Sequence, residues 1–276
     1  MASPVHQRKI GETPVSPIGF GCMRLSMPGV SPDTALSVLT RAADLGHTFW
    51  DTSDSYSTNH SLLSRWFAST GRRNEIFLAT KFGIKFVDGK PEVDGSAAYV
   101  RAAVEKILAD LGIETIDLLY QHRVDSKTPI EVTVAAMKEL QDEGKVKYLG
   151  LSECSANTLR RACKVAKIDA AEMEYSPFVL DIESEETKFL ATARELGVKI
   201  VAYSPLGRGT LTGTIKSRED LDEKDPRMAF PQFSEENLAR NVEFAEALGE
   251  IANAKGCTLG QLSLAWLLAQ GEGKLF

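Results

Sequence analysis

With 276 residues, 43% of them hydrophobic and 25% charged, the chain has an ordinary globular composition and no low-complexity segment. A net charge of −6 gives no electrostatic reason to bind nucleic acid or an anionic membrane, and no apolar run is long enough to span a bilayer. The four cysteines (Cys22, Cys154, Cys163 and Cys257) and the four histidines are scattered without ligand spacing. Neither a disulfide frame nor a metal site is expected, and the polar start MASPVHQRK points to the cytoplasm.

Along the chain, Gln7–Ser16 carries a Gly-Glu-Thr-Pro turn between short polar strands, the pattern of a hairpin that plugs a barrel floor. Short apolar runs and helical stretches then alternate. A strand at Ile18–Gly21 precedes a helix over Thr34–Leu45, and Thr48–Asp51 precedes one over Leu62–Ser69. Ile76–Lys81 is followed by Ala97–Leu111, Ile116–Gln121 by Ile130–Glu143, and Tyr148–Ser152 by Ala156–Val165. Ala170–Glu174, a helix over Glu185–Leu196 and Lys199–Tyr203 complete the series, and a long charged connection, Leu206–Ser234, follows. Runs this short suit strands buried on both faces. Ser31-Pro32 and Thr128-Pro129 read as helix starts, and Gly46, Gly112, Gly144 and Gly197 as helix stops. Strand–helix alternation predicts a parallel sheet, and seven strands in series favour a barrel over a doubly wound sheet, in one domain spanning 1–276.

In such a barrel the chemistry sits at the C-terminal ends of the strands. Asp51, Tyr56, Lys81 and His122 fall there, on successive strand units. Singly each has a bland reading: Asp51 caps a turn, Lys81 snorkels, and His122 is a satisfied core histidine. Together they make a mechanism. A buried lysine lowers the pKa of a neighbouring phenol, an aspartate keeps that lysine charged, the phenol protonates a carbonyl oxygen, and a neutral imidazole orients it. Leu206–Gly209 offers small residues beside a cation, a weak phosphate signal. Gly19-Phe-Gly21 lacks the third glycine of a dinucleotide fingerprint. Trp50 alternates outward toward the helices, while core and pocket-lining readings stand level for Met23 and Phe82.

The motifs Asp51-Thr-Ser-Asp-Ser-Tyr56, Thr80-Lys81-Phe82-Gly83, Asp117-Leu-Leu-Tyr-Gln-His122-Arg123, Gly150-Leu-Ser-Glu153, Glu174-Tyr-Ser-Pro177 and Tyr203-Ser-Pro-Leu-Gly-Arg-Gly209 occur in order along nearly the whole chain. In them the sequence resembles the aldo-keto reductase superfamily. Its Gln121-His122-Arg123 and Gly150-Leu-Ser-Glu153 variants are similar to the fungal, plant and bacterial branch that includes pyridoxal, aflatoxin-aldehyde and perakine reductases. The resemblance implies NADP(H)-dependent reduction of a small-molecule aldehyde or ketone. Tyr56 would be the general acid, Lys81 and Asp51 its tuning pair, and His122 the orienting group. Gly21, Met23, Asp51, Ser152, Glu172, Tyr203, Ser204, Leu206, Gly207 and Arg208 would contact the NADPH/NADP cofactor. A non-catalytic, cofactor-binding regulatory protein, or an inactive truncated isoform, is the alternative.

Three departures from the family pattern bear on these expectations. Ser57 stands where glycine is usual, and Asn59-His60 where Asn-Glu is common. Glu172 replaces a glutamine that faces the nicotinamide carboxamide, and an ionised carboxylate accepts hydrogen bonds but donates none. The sequence ends at Glu272-Gly-Lys-Leu-Phe276, where the family continues into an eighth strand, a phosphate-gripping loop and a final helix. The fold implied is therefore an α/β, (β/α)8 TIM barrel lacking that strand and helix. Weaker cofactor binding, and a homo-oligomer in which a neighbour replaces the missing strand, are expectations that follow from it.

Overall fold

The computed structural model describes residues 7–223 and 225–271, so the first residues of MASPVHQRK and the ending Glu272–Phe276 lie outside the described residues. In chain order the strands are β1 (Arg8–Ile10), β2 (Thr13–Val15), β3 (Phe20–Gly21), β4 (Phe49–Asp51), β5 (Phe77–Phe82), β6 (Ile84–Val87), β7 (Lys90–Val93), β8 (Ile116–Gln121), β9 (Val146–Ser152), β10 (Ala170–Glu174) and β11 (Lys199–Tyr203). The helices are α1 (Pro32–Asp44), α2 (Asn59–Thr70), α3 (Ala97–Leu111), α4 (Ile130–Asp142), α5 (Ala156–Cys163), α6 (Phe189–Leu196), α7 (Glu235–Ala254) and α8 (Leu259–Ala269). The seven strands expected from the apolar runs form one sheet in the order β3-β4-β5-β8-β9-β10-β11. From β3 to β10 each neighbouring pair is parallel. Sequential parallel strands joined through helices are the topology of a (β/α) barrel, and among the described residues no strand follows β11.

By compactness the chain divides into two units, Met1–Glu172 with Phe189–Ile200, and Met173–Lys188 with Val201–Phe276. In the first, every residue of β5 is buried, which explains why its sequence shows no polar–apolar alternation. Trp50 points outward as alternation predicts: its ring meets Trp66 of α2 at 4.7 Å, and its indole N–H donates to the His47 carbonyl. The β1–β2 hairpin forms where expected. Tyr148, near the start of β9, pins it by accepting from the Glu12 amide at 3.1 Å and bonding the Thr13 hydroxyl at 2.9 Å.

Three local expectations change. The antiparallel β6–β7 hairpin is absent from the sequence reading, although its turn, Asp88-Gly89 with φ of 50° and 76°, is the usual chemistry of a two-residue hairpin. Helix α6 begins at Phe189 rather than Glu185 because Lys188, at φ 49°, lies in the left-handed region. Helix α4 starts with Pro129 as its N-cap and has no side-chain cap, since the Thr128 hydroxyl donates instead to Asp125.

In the second unit, the long connection after β11 folds into short 3-10 turns rather than an open loop. Ile215, Leu221, Phe233 and Leu238 form a small core beneath them. Arg227 ties the turns together, ion-paired to Asp225 at 2.6 Å and donating to the Arg208 carbonyl at 3.0 Å.

The tightest approach in the sheet is at Gly150 of β9, where a Cβ would lie 2.4 Å from the Tyr120 ring and 2.9 Å from the Ala170 carbonyl oxygen. Neither neighbour can retreat, because one is a buried ring and the other is backbone. Gly150→Ala is expected to destabilise the protein by about 1–3 kcal/mol. Urea unfolding would show it as a lower midpoint at unchanged slope.

Candidate active site

The parallel register gathers the candidate residues at one end of the sheet. Gly21 pairs with Asp51, Asp51 with Ala79, Lys81 with Tyr120, and Glu172 with Ser152. Strands β4, β5 and β10 thus present Asp51, Lys81 and Glu172 to one another. The Lys81 side chain is only 1% exposed. Its ammonium pairs with Asp51 Oδ1, lies 3.3 Å from Glu172 Oε2 and donates to the Thr52 carbonyl at 3.0 Å. It also lies 5.3 Å from the centre of the Tyr56 ring. Burial alone would disfavour the ammonium, but Asp51, Glu172 and the phenol outweigh it and hold Lys81 above the usual lysine range. Burial raises both carboxyl groups against the opposing pull of Lys81, and Glu172, with Asp51 beside it, reaches about 8.

Tyr56 sits in the loop after β4, and a buried network holds that loop. The Asn59 side chain accepts from Thr52 at 2.6 Å and donates to the Cys22 carbonyl at 2.7 Å and to the Ser26 hydroxyl at 3.2 Å. Ser26 in turn donates to the Tyr56 carbonyl at 3.0 Å. Ser57, where the family pattern has glycine, has φ 48°, so this position demands the left-handed conformation that glycine adopts freely. The Tyr56 ring meets His122 edge-on, with centroids 5.8 Å apart. Burial, Lys81 and Arg123 push His122 down to about 3, leaving it neutral as expected. The Ser53 hydroxyl lies 3.2 Å from its Nδ1.

The phenol departs from expectation. Burial raises Tyr56 above the usual tyrosine range; Lys81 pulls the other way, but Asp51 and Glu172 add to the rise. Lys81 does lower it, as the sequence predicts, but the net shift is upward. Burial is the larger cause of the rise, and Asp51 and Glu172 offset part of the Lys81 field at the phenol.

Asp51, Tyr56, Lys81, His122, Ser152 and Glu172 therefore lie in the first unit around one ammonium and one imidazole. Gly21 is exposed with open space beside it, and Met23 is 40% exposed, whereas Phe82 is fully buried and belongs to the core. Arg123, for which the sequence assigned no role, donates to the His122 carbonyl at 2.7 Å and to Ser152 Oγ at 3.3 Å. Its place directly after His122 was the available signal. His60, buried on α2, bonds Thr80 Oγ1 at 2.9 Å and faces away from Lys81.

In the second unit, Tyr203 donates to Glu174 at 3.5 Å. Ser204, Gly207, Arg208 and Gly209 all have positive φ, between 52° and 108°. At Gly207 a Cβ would strike the Phe178 ring at 2.8 Å. The Arg208 guanidinium lies over the Phe230 ring at 4.4 Å, and its Nε is buried without a hydrogen-bond partner. A left-handed glycine turn beside an unsatisfied guanidinium donor fits an anionic group such as a phosphate. Among the described residues no cluster of His, Cys, Asp or Glu could hold a metal ion, and no helix is long and apolar enough to cross a membrane.

Comparison with known proteins points the same way. The model of the Aldo/keto reductase family matches residues 17–275. Aldo-keto reductase str7 of Strobilurus tenacellus is 50% identical over 97% of this chain and 81% of its own length. Aldo-keto reductase yakc [NADP(+)] of Schizosaccharomyces pombe is 49% identical over 96% of this chain and 80% of its own. Among solved structures, the glycerol dehydrogenase AKR11B4 from Gluconobacter oxydans matches all of this chain and 86% of its own, with a TM-score of 0.89 at 26% identity. The holo form of aldo-keto reductase AKR11C1 from Bacillus halodurans matches 96% and 83%, with a TM-score of 0.76 at 29% identity.

His60 yields a pH test of the packing behind the site. Burial lowers it from 6.5 to about 4, so between those values the unfolded chain binds a proton that the folded chain refuses. Its contribution is intact above pH 6.5 and is lost as pH falls toward 4, by roughly 3 kcal/mol at 1.36 kcal/mol per pH unit. In urea unfolding at stepped pH, wild type is expected to lose stability faster over this window than His60→Gln. Parallel curves would contradict the assignment.

Proposed function

The chain belongs to the aldo/keto reductase family, and on that premise we propose that it reduces an aldehyde or ketone to the alcohol with NADPH, Tyr56 acting as general acid. The observation that carries this reading is the approach of the Tyr56 ring to both the Lys81 ammonium and the His122 imidazole. Because the phenol is held above its usual range, it is fully protonated at neutral pH and has a proton to give to the carbonyl oxygen. Lys81 stabilises the phenolate left behind, and Asp51 keeps that ammonium charged and aimed. In the tautomer whose Nδ1 accepts from the Ser53 hydroxyl, the Nε2–H of the neutral His122 would hold the carbonyl oxygen in line.

When bound, the nicotinamide dinucleotide supplies the hydride to the carbonyl carbon. Arg208 and the left-handed turn from Ser204 through Gly209, with Leu206 and Gly207, would hold its phosphates. Tyr203 would stack on its ring, and Ser152 would bind its amide, with Gly21 and Met23 beside it. NADP is preferred to NAD because the Schizosaccharomyces pombe relative is named for NADP(+). An aromatic or pyridoxal-like aldehyde is the substrate class favoured by the Gln121-His122-Arg123 and Gly150-Leu-Ser-Glu153 motifs.

NADPH oxidation with a panel of nitrobenzaldehydes tests the reading. Tyr56→Phe is expected to lower kcat about 10²–10⁴-fold, while fluorescence titration shows NADPH affinity unchanged. Equal rates in the two proteins would remove Tyr56 from the reaction.

A further inference from the structure

Glu172 takes no part in the steps above, yet its carboxylate reaches the same ammonium as Asp51. It enters from β10, opposite Ser152 of β9, and its side chain is 7% exposed. At 3.3 Å it is an ion-pair partner of Lys81, not a distant spectator. Asp51 from β4, Tyr56 from the following loop, Lys81 from β5, Tyr120 from β8 and Arg123 from the turn after β8 are the ionisable groups whose fields meet it. With both carboxylates ionised, Lys81 faces more negative charge than it can neutralise, inside a region of low polarity.

We propose that Glu172 is a positioning residue that acts on the Tyr56 phenol through Lys81, a second carboxylate whose charge determines how readily that phenol gives up its proton. The catalytic meaning of this role rests on Tyr56 being the general acid. The argument is electrostatic. An ammonium beside a phenol favours phenolate, whereas each carboxylate on that ammonium offsets the field. Asp51 alone would leave Lys81 part of its influence; Glu172 removes more of it. Burial and Asp51 push the Glu172 carboxyl up to about 8, still below the alkaline range where a phenol ionises, so it is charged when Tyr56 titrates. There it holds Tyr56 protonated to higher pH than a neutral side chain would. Glutamine has nearly the same size and hydrogen-bonding reach without the charge, so Glu172→Gln isolates the effect.

Ultraviolet tyrosinate absorbance, followed against pH in the protein without added cofactor, reads the phenol directly. Subtracting the curve of Tyr56→Phe, in wild type and in the Glu172→Gln background, isolates Tyr56 from the other tyrosines. Its midpoint is expected about one pH unit lower in Glu172→Gln, with Glu172→Asp nearer to wild type. Coincident Tyr56 midpoints in wild type and Glu172→Gln would overturn the proposal, as would a Glu172→Asp midpoint no nearer to wild type than that of Glu172→Gln. The alkaline limb of the carbonyl-reduction profile should move with the phenol. A phenol that shifts while the limb stays fixed supports the hold of Glu172 on Tyr56 and instead removes Tyr56 as the acid.

Discussion

An ammonium 1% exposed to solvent, as at Lys81, would by itself cost several kcal/mol of desolvation, and the site is organised around meeting that cost. Asp51, Glu172 and the Thr52 carbonyl surround it. The consequences run outward from there. Burial first, and then the carboxyl groups that keep Lys81 charged, outweigh its pull on Tyr56, so the phenol stays protonated. The same positive charge, with burial and Arg123, keeps His122 neutral and therefore a hydrogen-bond partner rather than a competing acid. Burial sets the direction in which two carboxyls, a phenol and an imidazole shift, and the one cation acts on all four.

The scaffold contributes position. Lys81 and Asp51 stand on fully or largely buried strands whose register is fixed on both sides, so their separation is a property of the sheet. Tyr56 has no strand to hold it. Its place depends on the Asn59 side chain, which braces Thr52, Cys22 and Ser26, and on a left-handed Ser57. A loop fixed by buried side-chain hydrogen bonds can carry a reacting group nearly as firmly as a strand.

In the second unit the chain's chemistry is mostly backbone. Ser204, Gly207, Arg208 and Gly209 turn left-handed in close succession, and the guanidinium of Arg208 rests on Phe230 with a buried donor unspent. The long connection that follows has a small apolar core and an Arg227–Asp225 clasp, so its charge and length in the sequence do not signify an unstructured loop.

Read alone, the sequence determined the order and kind of the seven main-sheet strands and of α1 to α6, because most of those strands are short, largely buried runs and several of those helices carry their own caps; β6, β7, α7 and α8 went unread. It also determined which ionisable groups reach the C-terminal strand ends, since that follows from counting along each strand. The Asp88-Gly89 hairpin was legible too, had its turn chemistry been weighed. Tertiary structure alone decided where Glu172 points and what it pairs with, that Arg123 joins His122 to Ser152, and that Asn59 holds the Tyr56 loop. It also decided the sign of the Tyr56 shift. Distances between residues tens of positions apart, and the burial that sets the strength of their fields, arise only when separate strands are brought side by side; no local pattern encodes them.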